Sequence, residues 1–283
     1  MAPIIELQRL SVRYDDTESY ALRNVDLEVQ PGDFVAILGS HGAGKTTLCL
    51  TLNGIIPNMI RADMWGKLVV NGQVPPSTAV REMARGIGMV FDNPEFQMSQ
   101  LTVAEEVALG MQNLGVPRET MLERIPYVLK LVGLEGFDKR SPLALSGGQQ
   151  QRLAMASALA MEPDILVLDE PTTNLDPVGK QDVFRIVHEL NEERGLTVVV
   201  AEHEVEVIAE FADRVLVLDK GEVVRSGPPG EVFSQVDELT GLDLRVPQVS
   251  ALAHHLQADD LWPSAIPVTL DEAESSLRAR GIS

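Results

Sequence analysis

The chain has 283 residues, a length that allows one large α/β unit with an appendage or two modest domains. Its 42 acidic side chains outnumber its 23 basic ones and give a formal net charge of −19, so the surface should repel phosphate backbones and direct nucleic-acid binding is disfavoured. The first residues lack a secretory signal, and no apolar run reaches the roughly twenty residues of a membrane-spanning helix, so we expect a cytoplasmic protein without direct membrane insertion.

The N-terminal part of the chain predicts strands of two kinds. Residues 4–10 and 25–29 alternate apolar and polar side chains, which predicts an antiparallel layer. The apolar run 34–38 predicts the first strand of a core sheet, followed by a helix to about Asn53. Further short strands are predicted at 68–70 and 87–91.

The middle of the chain predicts helices. Thr102 with Glu105 three residues later forms a capping box at a helix start, and a second helix should follow over 118–132. Ser146 is the expected N-cap of a third helix, which should reach Met161. We therefore expect a helical subdomain over residues 93–161.

Beyond this region the chain alternates strands and helices in the manner of βαβ units. The predicted elements are a strand at 165–168, a helix at 177–194, a strand at 196–201, a helix from Glu204 and a strand at 215–218. We expect residues 1–92 and 162–235 to form one core and residues 236–283 to form a C-terminal extension.

A glycine-rich loop directly follows the apolar run 34–38 and precedes the first predicted helix. Such a loop lets backbone N–H groups surround phosphate oxygens, and the helix N-terminus adds a favourable dipole. Lys45 would neutralise phosphate charge and Thr46 would bind Mg²⁺. The loop residues are Gly39, Ser40, His41, Gly42, Ala43, Gly44, Lys45 and Thr46.

Two carboxylates end the apolar strand 165–168. Asp169 is placed to hold Mg²⁺ through water beside Thr46, and Glu170 could polarise a water for attack on the γ-phosphate. Acids after an apolar strand can also serve only as a helix cap or turn, but the preceding phosphate loop favours the catalytic interpretation.

A second set of glycines opens the predicted helix after Leu145. Ser146 alone fits an ordinary helix cap, but Gly147 and Gly148 in the first turn weaken a helix and need another reason. Close backbone approach by a phosphate ligand provides that reason, with Gln149 in the same turn.

These three motifs, in their order along the chain, resemble those of the ATPase subunits of ATP-binding cassette (ABC) proteins over about residues 4–230. The resemblance implies a P-loop α/β fold of ABC type, with a mostly parallel core sheet, an N-terminal antiparallel β layer and a helical subdomain. It also implies ATP and Mg²⁺ as cofactors. The nucleotide-binding residues that it implies are Tyr14, Gly39, Ser40, His41, Gly42, Ala43, Gly44, Lys45, Thr46, Thr47, Ser146, Gly147, Gly148, Gln149 and Asp176.

Three further positions match the family. Tyr14 stands where the family stacks an aromatic ring on adenine, residues 174–176 resemble the D-loop, and His203 occupies the switch-histidine position. Each has a simpler alternative, because Tyr14 could close a loop, Asp176 before Pro177 is a sound helix N-cap, and His203 could cap a strand.

One position departs from the family pattern. Asp92 stands where the family normally places a glutamine that contacts Mg²⁺ and the attacking water. We expect Asp92 to act in metal binding and catalysis, and its charge near Asp169 and Glu170 should raise a proton affinity among the three carboxylates.

Family architecture implies a second ABC ATPase subunit, identical or related, whose signature motif would cover the nucleotide bound to the first. The segment 90–97, the switch segment 201–204 and the tail 241–247 look like those of energy-coupling factor transporters, which import vitamins or transition-metal ions. That branch implies a transmembrane coupling protein, a substrate-capture membrane subunit and a location at the cytoplasmic face of the membrane.

Two alternatives stay open at this stage. A soluble ABC-type ATPase could act as a mechanical clamp on nucleic acid or the ribosome, although the acidic single cassette argues against it. A nucleotide-gated structural subunit with little hydrolysis has Asp92 as its only sequence indication, while Glu170 and His203 argue against it.

Overall fold

The computed structural model describes residues 2–173, 175–259, 261–262 and 265–278. The strands of this part of the chain are β1 (Ile5–Tyr14), β2 (Leu22–Val29), β3 (Phe34–Gly39), β4 (Ala62–Val70), β5 (Ile87–Val90), β6 (Ile165–Asp169), β7 (Thr197–Ala201), β8 (Arg214–Asp219) and β9 (Glu222–Gly227). They form a three-stranded antiparallel sheet in the order β2-β1-β4 and a six-stranded sheet in the order β5-β6-β7-β3-β8-β9.

The helices connect and cover these sheets. They are α1 (Lys45–Leu52), α2 (Ile55–Asn58), α3 (Val80–Met83), α4 (Val103–Leu114), α5 (Arg118–Leu131), α6 (Gly147–Leu159), α7 (Pro177–Arg194), α8 (Val205–Phe211), α9 (Pro229–Phe233), α10 (Val236–Gly241), α11 (Gln248–Ala258) and α12 (Leu270–Arg278). Short 3-10 helices lie at Pro75–Ser77, Pro94–Gln97 and Pro142–Ala144. Within the described ranges, no helix is long and apolar enough to cross a membrane.

The core sheet is parallel from β5 to β8, and β9 closes one edge in the antiparallel sense. Parallel strands end at the same edge of a sheet, and ligands of open α/β sheets bind beyond that edge. The register pairs Ile37 and Asp169 with the same residue, Ala201, so that β3, β6 and β7 end side by side. The glycine-rich loop, the carboxylates of Asp169 and Glu170, and residues 202–204 lie at the ends of these three strands.

The central strands of the core sheet are buried on both faces, as their apolar sequences require. In β3, Ala36 and Leu38 belong to the cluster that includes α4, α6 and α7, while Val35 and Ile37 belong to the cluster shared with the antiparallel sheet and α1. The C-terminal extension joins the first cluster through Leu244, Val246 and Val268. The extension is therefore packed onto the core.

Most predicted elements are confirmed, and the differences have a physical cause. Both capping boxes, at Thr102 and Ser146, are present, and α7 has the predicted bounds. The strand predicted at 68–70 is the buried end of β4, which begins at Ala62 and has no other fully buried residue. Strand β9, which has no buried residue, was not predicted because its sequence gives little apolar signal.

Candidate active site

The loop between β3 and α1 has a backbone that glycine makes possible. Gly42 and Gly44 have φ values of 79° and 108°, in the left-handed region that disfavours other residues. A Cβ atom on Gly44 would lie 2.6 Å from the carbonyl oxygen of Ala21. This close approach places the loop against the start of β2 and leads directly into Lys45, the first residue of α1.

Lys45 connects the loop to the two neighbouring strand ends. Its ammonium group donates to the carbonyl oxygens of Gly39 and Ser40, at 3.0 and 3.4 Å. The same Nζ atom lies 3.1 Å from Nε2 of His203 and 3.5 Å from Oε1 of Glu170. With only 4% of its side chain exposed, Lys45 is a buried cation placed among acceptors at the mouth of the loop.

His203 lies within 3.0 Å of Glu170, between the ends of β6 and β7. Its hydrogen bond, together with the charge of Lys45, lowers the pKa of Glu170 to about 2, although partial burial acts in the opposite direction. Glu170 is therefore ionised at neutral pH and can accept a hydrogen bond from a water molecule.

Asp169 is buried at the end of β6, where its Oδ1 atom accepts a hydrogen bond from the Thr46 hydroxyl at 3.2 Å. Burial raises the pKa of Asp169 to about 6, and the carboxylates of Glu170 and Asp92 add to this effect. The hydrogen bond from Thr46 and the charge of Lys45 counteract it in part. The raised proton affinity expected among the three carboxylates thus falls on Asp169, where burial is the largest cause and the neighbouring acids add to it.

The donor set at this point suits Mg²⁺. This ion takes hard oxygen ligands and is commonly bound by one or two protein groups together with phosphates and water. The Thr46 hydroxyl and the Asp169 carboxylate are such groups, and they lie next to each other. In the parts of the chain that are described, no three His, Cys, Asp or Glu side chains are grouped to hold a metal ion on their own. Binding of Mg²⁺ by Asp92 stays a prediction.

A cavity of about 440 Å³ lies beside the loop. It brings together Tyr14, Asp92 and Glu170 with the loop, and the Tyr14 hydroxyl lies 2.9 Å from that of Thr47. Thr17, Ser19 and Tyr20 also line it and were not predicted, because polar loop residues without a motif give no sequence signal of a ligand. The full lining is Tyr14, Thr17, Ser19, Tyr20, Ala21, His41, Gly42, Gly44, Lys45, Thr46, Thr47, Asp92 and Glu170.

The second glycine-containing motif lies elsewhere. The Ser146 hydroxyl accepts from the backbone N–H of Gln149 at 3.4 Å, and the Gln149 side chain accepts from the backbone N–H of Ser146 at 3.0 Å. Ser146 and Gly147 are exposed, and residues 146–149 do not line the cavity beside the phosphate loop. Within the described residues, this motif therefore does not line the nucleotide-sized cavity beside the glycine-rich loop of the same chain.

The predicted D-loop begins at Asn174, which lies outside the described residues. Asp176 accepts a hydrogen bond from the backbone N–H of Gly179 at 2.7 Å and caps α7. This contact is the simpler role considered for Asp176, and its contact with nucleotide stays a prediction.

A family model described as "ABC transporter" matches residues 22–173. The chain is 41% identical over 277 residues to a protein of Pyrococcus horikoshii described as an ABC transporter ATP-binding protein, covering 97% of this chain and 96% of that protein. It is 37% identical over 276 residues to the energy-coupling factor transporter ATP-binding protein EcfA of Methanocaldococcus jannaschii, covering 97% and 96%.

Two solved structures have the same fold. CbiO1 of Clostridium perfringens, described as part of the ABC transporter complex CbiONQ, superposes with a TM-score of 0.75 at 30% identity and covers 90% of this chain and 100% of its own. The ATP-binding cassette MJ0796, in a dimeric post-hydrolysis state bound to ADP and phosphate, has a TM-score of 0.70 at 32% identity and covers 80% and 98%.

Proposed function

This chain belongs to the ABC transporter ATP-binding proteins, and we propose that it works as one half of an ATP-driven pair that energises a membrane importer of the energy-coupling factor type. The observation that carries the proposal is the contact of Lys45, Glu170 and His203 at the mouth of the phosphate loop. ABC-type ATP hydrolysis needs a phosphate-binding cation, a carboxylate that orients water and a group that contacts the γ-phosphate, and this cluster provides one of each.

The residues of the site have distinct roles in binding and hydrolysing ATP. Lys45 and the N–H groups of residues 39–46 bind the phosphates, with Thr47 at the start of α1 and Tyr14 against the adenine. Thr46 and Asp169 would hold Mg²⁺, which supplies charge neutralisation at the phosphates when it is bound. Glu170, ionised because its pKa is low, orients the attacking water, and His203 contacts the γ-phosphate.

Asp92 is the unusual member of the site in chemical terms, because it places a carboxylate where the family normally has the neutral amide of a glutamine. It lines the same cavity as Glu170, and its charge contributes to the raised pKa of Asp169. We assign Asp92 to the catalytic centre, where it tunes hydrolysis and metal affinity.

A second subunit completes the site in this proposal. Ser146 and Gly147 are exposed at the N-terminus of α6, away from their own phosphate loop. A helix N-terminus with free N–H groups can bind a phosphate, so residues 146–149 would cover the nucleotide of the other subunit, with Asp176 beside it. The dimeric state of MJ0796 supports this arrangement. Loss of the γ-phosphate would remove contacts that hold the pair closed.

The segment around Pro94–Gln97 is the proposed docking place for the transmembrane coupling protein. Phe96 and Leu101 are 88% and 84% exposed, and Glu95 lies beside Phe96. Large exposed apolar side chains next to a charge are typical of an interaction site, and basic segments of a coupling protein would pair with Glu95. A separate membrane subunit would capture the cargo, a vitamin or a transition-metal ion.

In this proposal, residues 1–92 and 162–235 form the ATPase core, residues 93–161 form the helical subdomain, and the extension 236–283 assists pairing. The chain would then lie at the cytoplasmic face of the membrane, held there by its partners. The names of EcfA and CbiO1 support this branch of the family.

The proposal is tested with the purified chain and its Glu170→Gln variant. We expect MgATP hydrolysis by the wild type and a loss of about 100-fold or more in the variant, which should form an ATP-dependent dimer in size-exclusion chromatography. A variant that stays monomeric with saturating MgATP would overturn the paired mechanism. Purification of the tagged chain from native membranes should recover a coupling protein and a small membrane-embedded subunit, and recovery of nucleic acid instead would overturn the transport role.

A further inference from the structure

The side chains of the three successive residues 202–204 each contact a residue in the stretch from Glu170 to Lys180. The contact between His203 and Glu170 is described above. The contacts on either side of it have no part in the proposed chemistry. The pairs are Glu202 with Thr172, His203 with Glu170, and Glu204 with Lys180.

Glu202 is the unusual member, because its carboxyl group is buried. It follows the last residue of β7, is 2% exposed, and donates its backbone N–H to the carbonyl oxygen of Ile37 at 3.2 Å. Burial raises the pKa of Glu202 to about 7, although hydrogen bonds from the Thr172 hydroxyl and the His203 backbone N–H oppose this shift. Burying a carboxyl group costs stability, so an acid at this buried position needs a reason.

Thr172 is buried as well and anchors the chain that leads to α7. Its hydroxyl donates to Glu202, and its carbonyl oxygen accepts from the backbone N–H of Leu175 at 3.0 Å. Leu175 and Asp176 lie in the segment proposed to approach the second subunit. The contact between Thr172 and Glu202 therefore joins two parts of the mechanism, the switch histidine and the segment ahead of α7.

We propose that Glu202 is a positioning residue for ATP hydrolysis. Its carboxyl group accepts hydrogen bonds from the His203 backbone N–H and the Thr172 hydroxyl, and so links the two segments. This link keeps the histidine ring next to Glu170 and makes it move together with the segment ahead of α7. The inference rests on the proposed roles of Glu170 and His203. A residue that stabilised the fold alone would not have to be an acid at this buried point.

The substitutions Glu202→Leu and Glu202→Gln separate positioning from packing. Leucine keeps the volume and removes the acceptor, whereas glutamine keeps a carbonyl oxygen for the Thr172 hydroxyl. We expect Glu202→Leu to lower kcat for ATP about 10- to 100-fold with KM changed less than about threefold, because misplacement of a reacting group acts on the chemical step. Glutamine should restore kcat to within about threefold of the wild type.

Thr172→Val removes the hydroxyl at nearly constant shape and tests the same contact from the other side. Its kcat should fall about as far as that of Glu202→Leu, and the double variant should lose no more than either single one, since both remove one shared interaction. Glu210→Gln, an exposed substitution on α8, is the matched control and should keep the wild-type rate.

The outcomes distinguish this inference from the proposed function. If Glu170→Gln hydrolyses ATP as the wild type does, the proposed catalytic centre is wrong. If Glu170→Gln is inactive while Glu202→Leu and Thr172→Val keep the wild-type kcat, only the positioning role is wrong. A fall in kcat that glutamine does not restore, together with a lower thermal midpoint in Glu202→Leu, would also overturn it and leave a structural role.

Discussion

The substitution Asp169→Asn should stabilise the nucleotide-free protein while it removes Mg²⁺-dependent nucleotide binding. The pKa of Asp169 is raised from 3.8 to about 6 by burial and by neighbouring carboxylates, so ionisation of this group opposes folding. At about 1.4 kcal/mol for each pKa unit, a shift of about two units corresponds to about 3 kcal/mol. The open cavity beside Thr46 and Glu170 lets solvent screen part of this penalty, and the expected gain is about 1–3 kcal/mol.

The gain should depend on pH in a defined direction. Because the folded-state pKa of Asp169 lies above its unfolded value, the folded protein binds the proton more tightly, and its stability falls as the pH rises from about 4 through about 6. Asparagine does not titrate. The stability difference between variant and wild type should therefore be full above about pH 7, about half as large near pH 5, and small below about pH 4.

Urea denaturation without nucleotide at these pH values measures the difference directly, and nucleotide titration with and without Mg²⁺ measures the loss of metal-dependent affinity. Asp164→Asn is the control, because Asp164 is exposed just before the opposite end of β6 and accepts a hydrogen bond from Asn71 at 2.8 Å. If the Asp169→Asn protein is no more stable than the wild type near pH 7.5, burial of this carboxylate does not lower the stability of the nucleotide-free protein, and the reasoning is refuted.

Three further substitutions test other parts of the proposal. Asp92→Gln should keep ATP binding but change the hydrolysis rate and its Mg²⁺ dependence, and equal turnover with equal Mg²⁺ dependence would exclude a catalytic role for Asp92. Glu95→Lys should prevent co-purification with the membrane subunits while nucleotide affinity is unchanged; retained assembly would contradict docking at this segment. Leu252→Glu on α11, where Leu252 is 58% exposed, should weaken ATP-dependent pairing at least about tenfold by sedimentation, and an unchanged dimer would argue against a pairing role for the extension.

Local sequence signals were sufficient for the elements that carry the site. Each of the strands β3, β6 and β7 contains an uninterrupted run of apolar residues, as expected for a parallel sheet buried on both faces. The residues that follow them are polar or glycine, so the abrupt change marks the edge at which a ligand binds. The identity of Lys45, Asp169 and Glu170 then predicts the chemistry, and Asp169 lies beside Thr46 as the sequence predicts.

The parts that the sequence did not reveal depend on register and on distant partners. The first half of β4 is a strand because it pairs with β1, where Met64 lies opposite Val12, and its own hydropathy gives no such indication. The acid at Glu202 is visible in the sequence directly after an apolar strand. Its partner Thr172 is not, because the contact between them arises only when β6 and β7 become neighbours.

Nε2 of His203 lies within hydrogen-bond distance of both Lys45 Nζ and Glu170 Oε1. This atom cannot accept a hydrogen bond from Lys45 and donate one to Glu170 at the same time. A neutral imidazole with its proton on Nε2 donates to Glu170, whereas the other tautomer accepts from Lys45. A γ-phosphate would offer oxygen acceptors to the Lys45 ammonium group. Once Lys45 donates to the phosphate, the His203 tautomer with its proton on Nε2 is favoured. This tautomer can donate to Glu170 or to the phosphate. In the proposed mechanism, nucleotide binding would therefore change the hydrogen-bond partners of the ring. The ring can change partners without losing its place only if the backbone of His203 is held by other contacts, and Glu202 with Thr172 provides such a contact on the buried side.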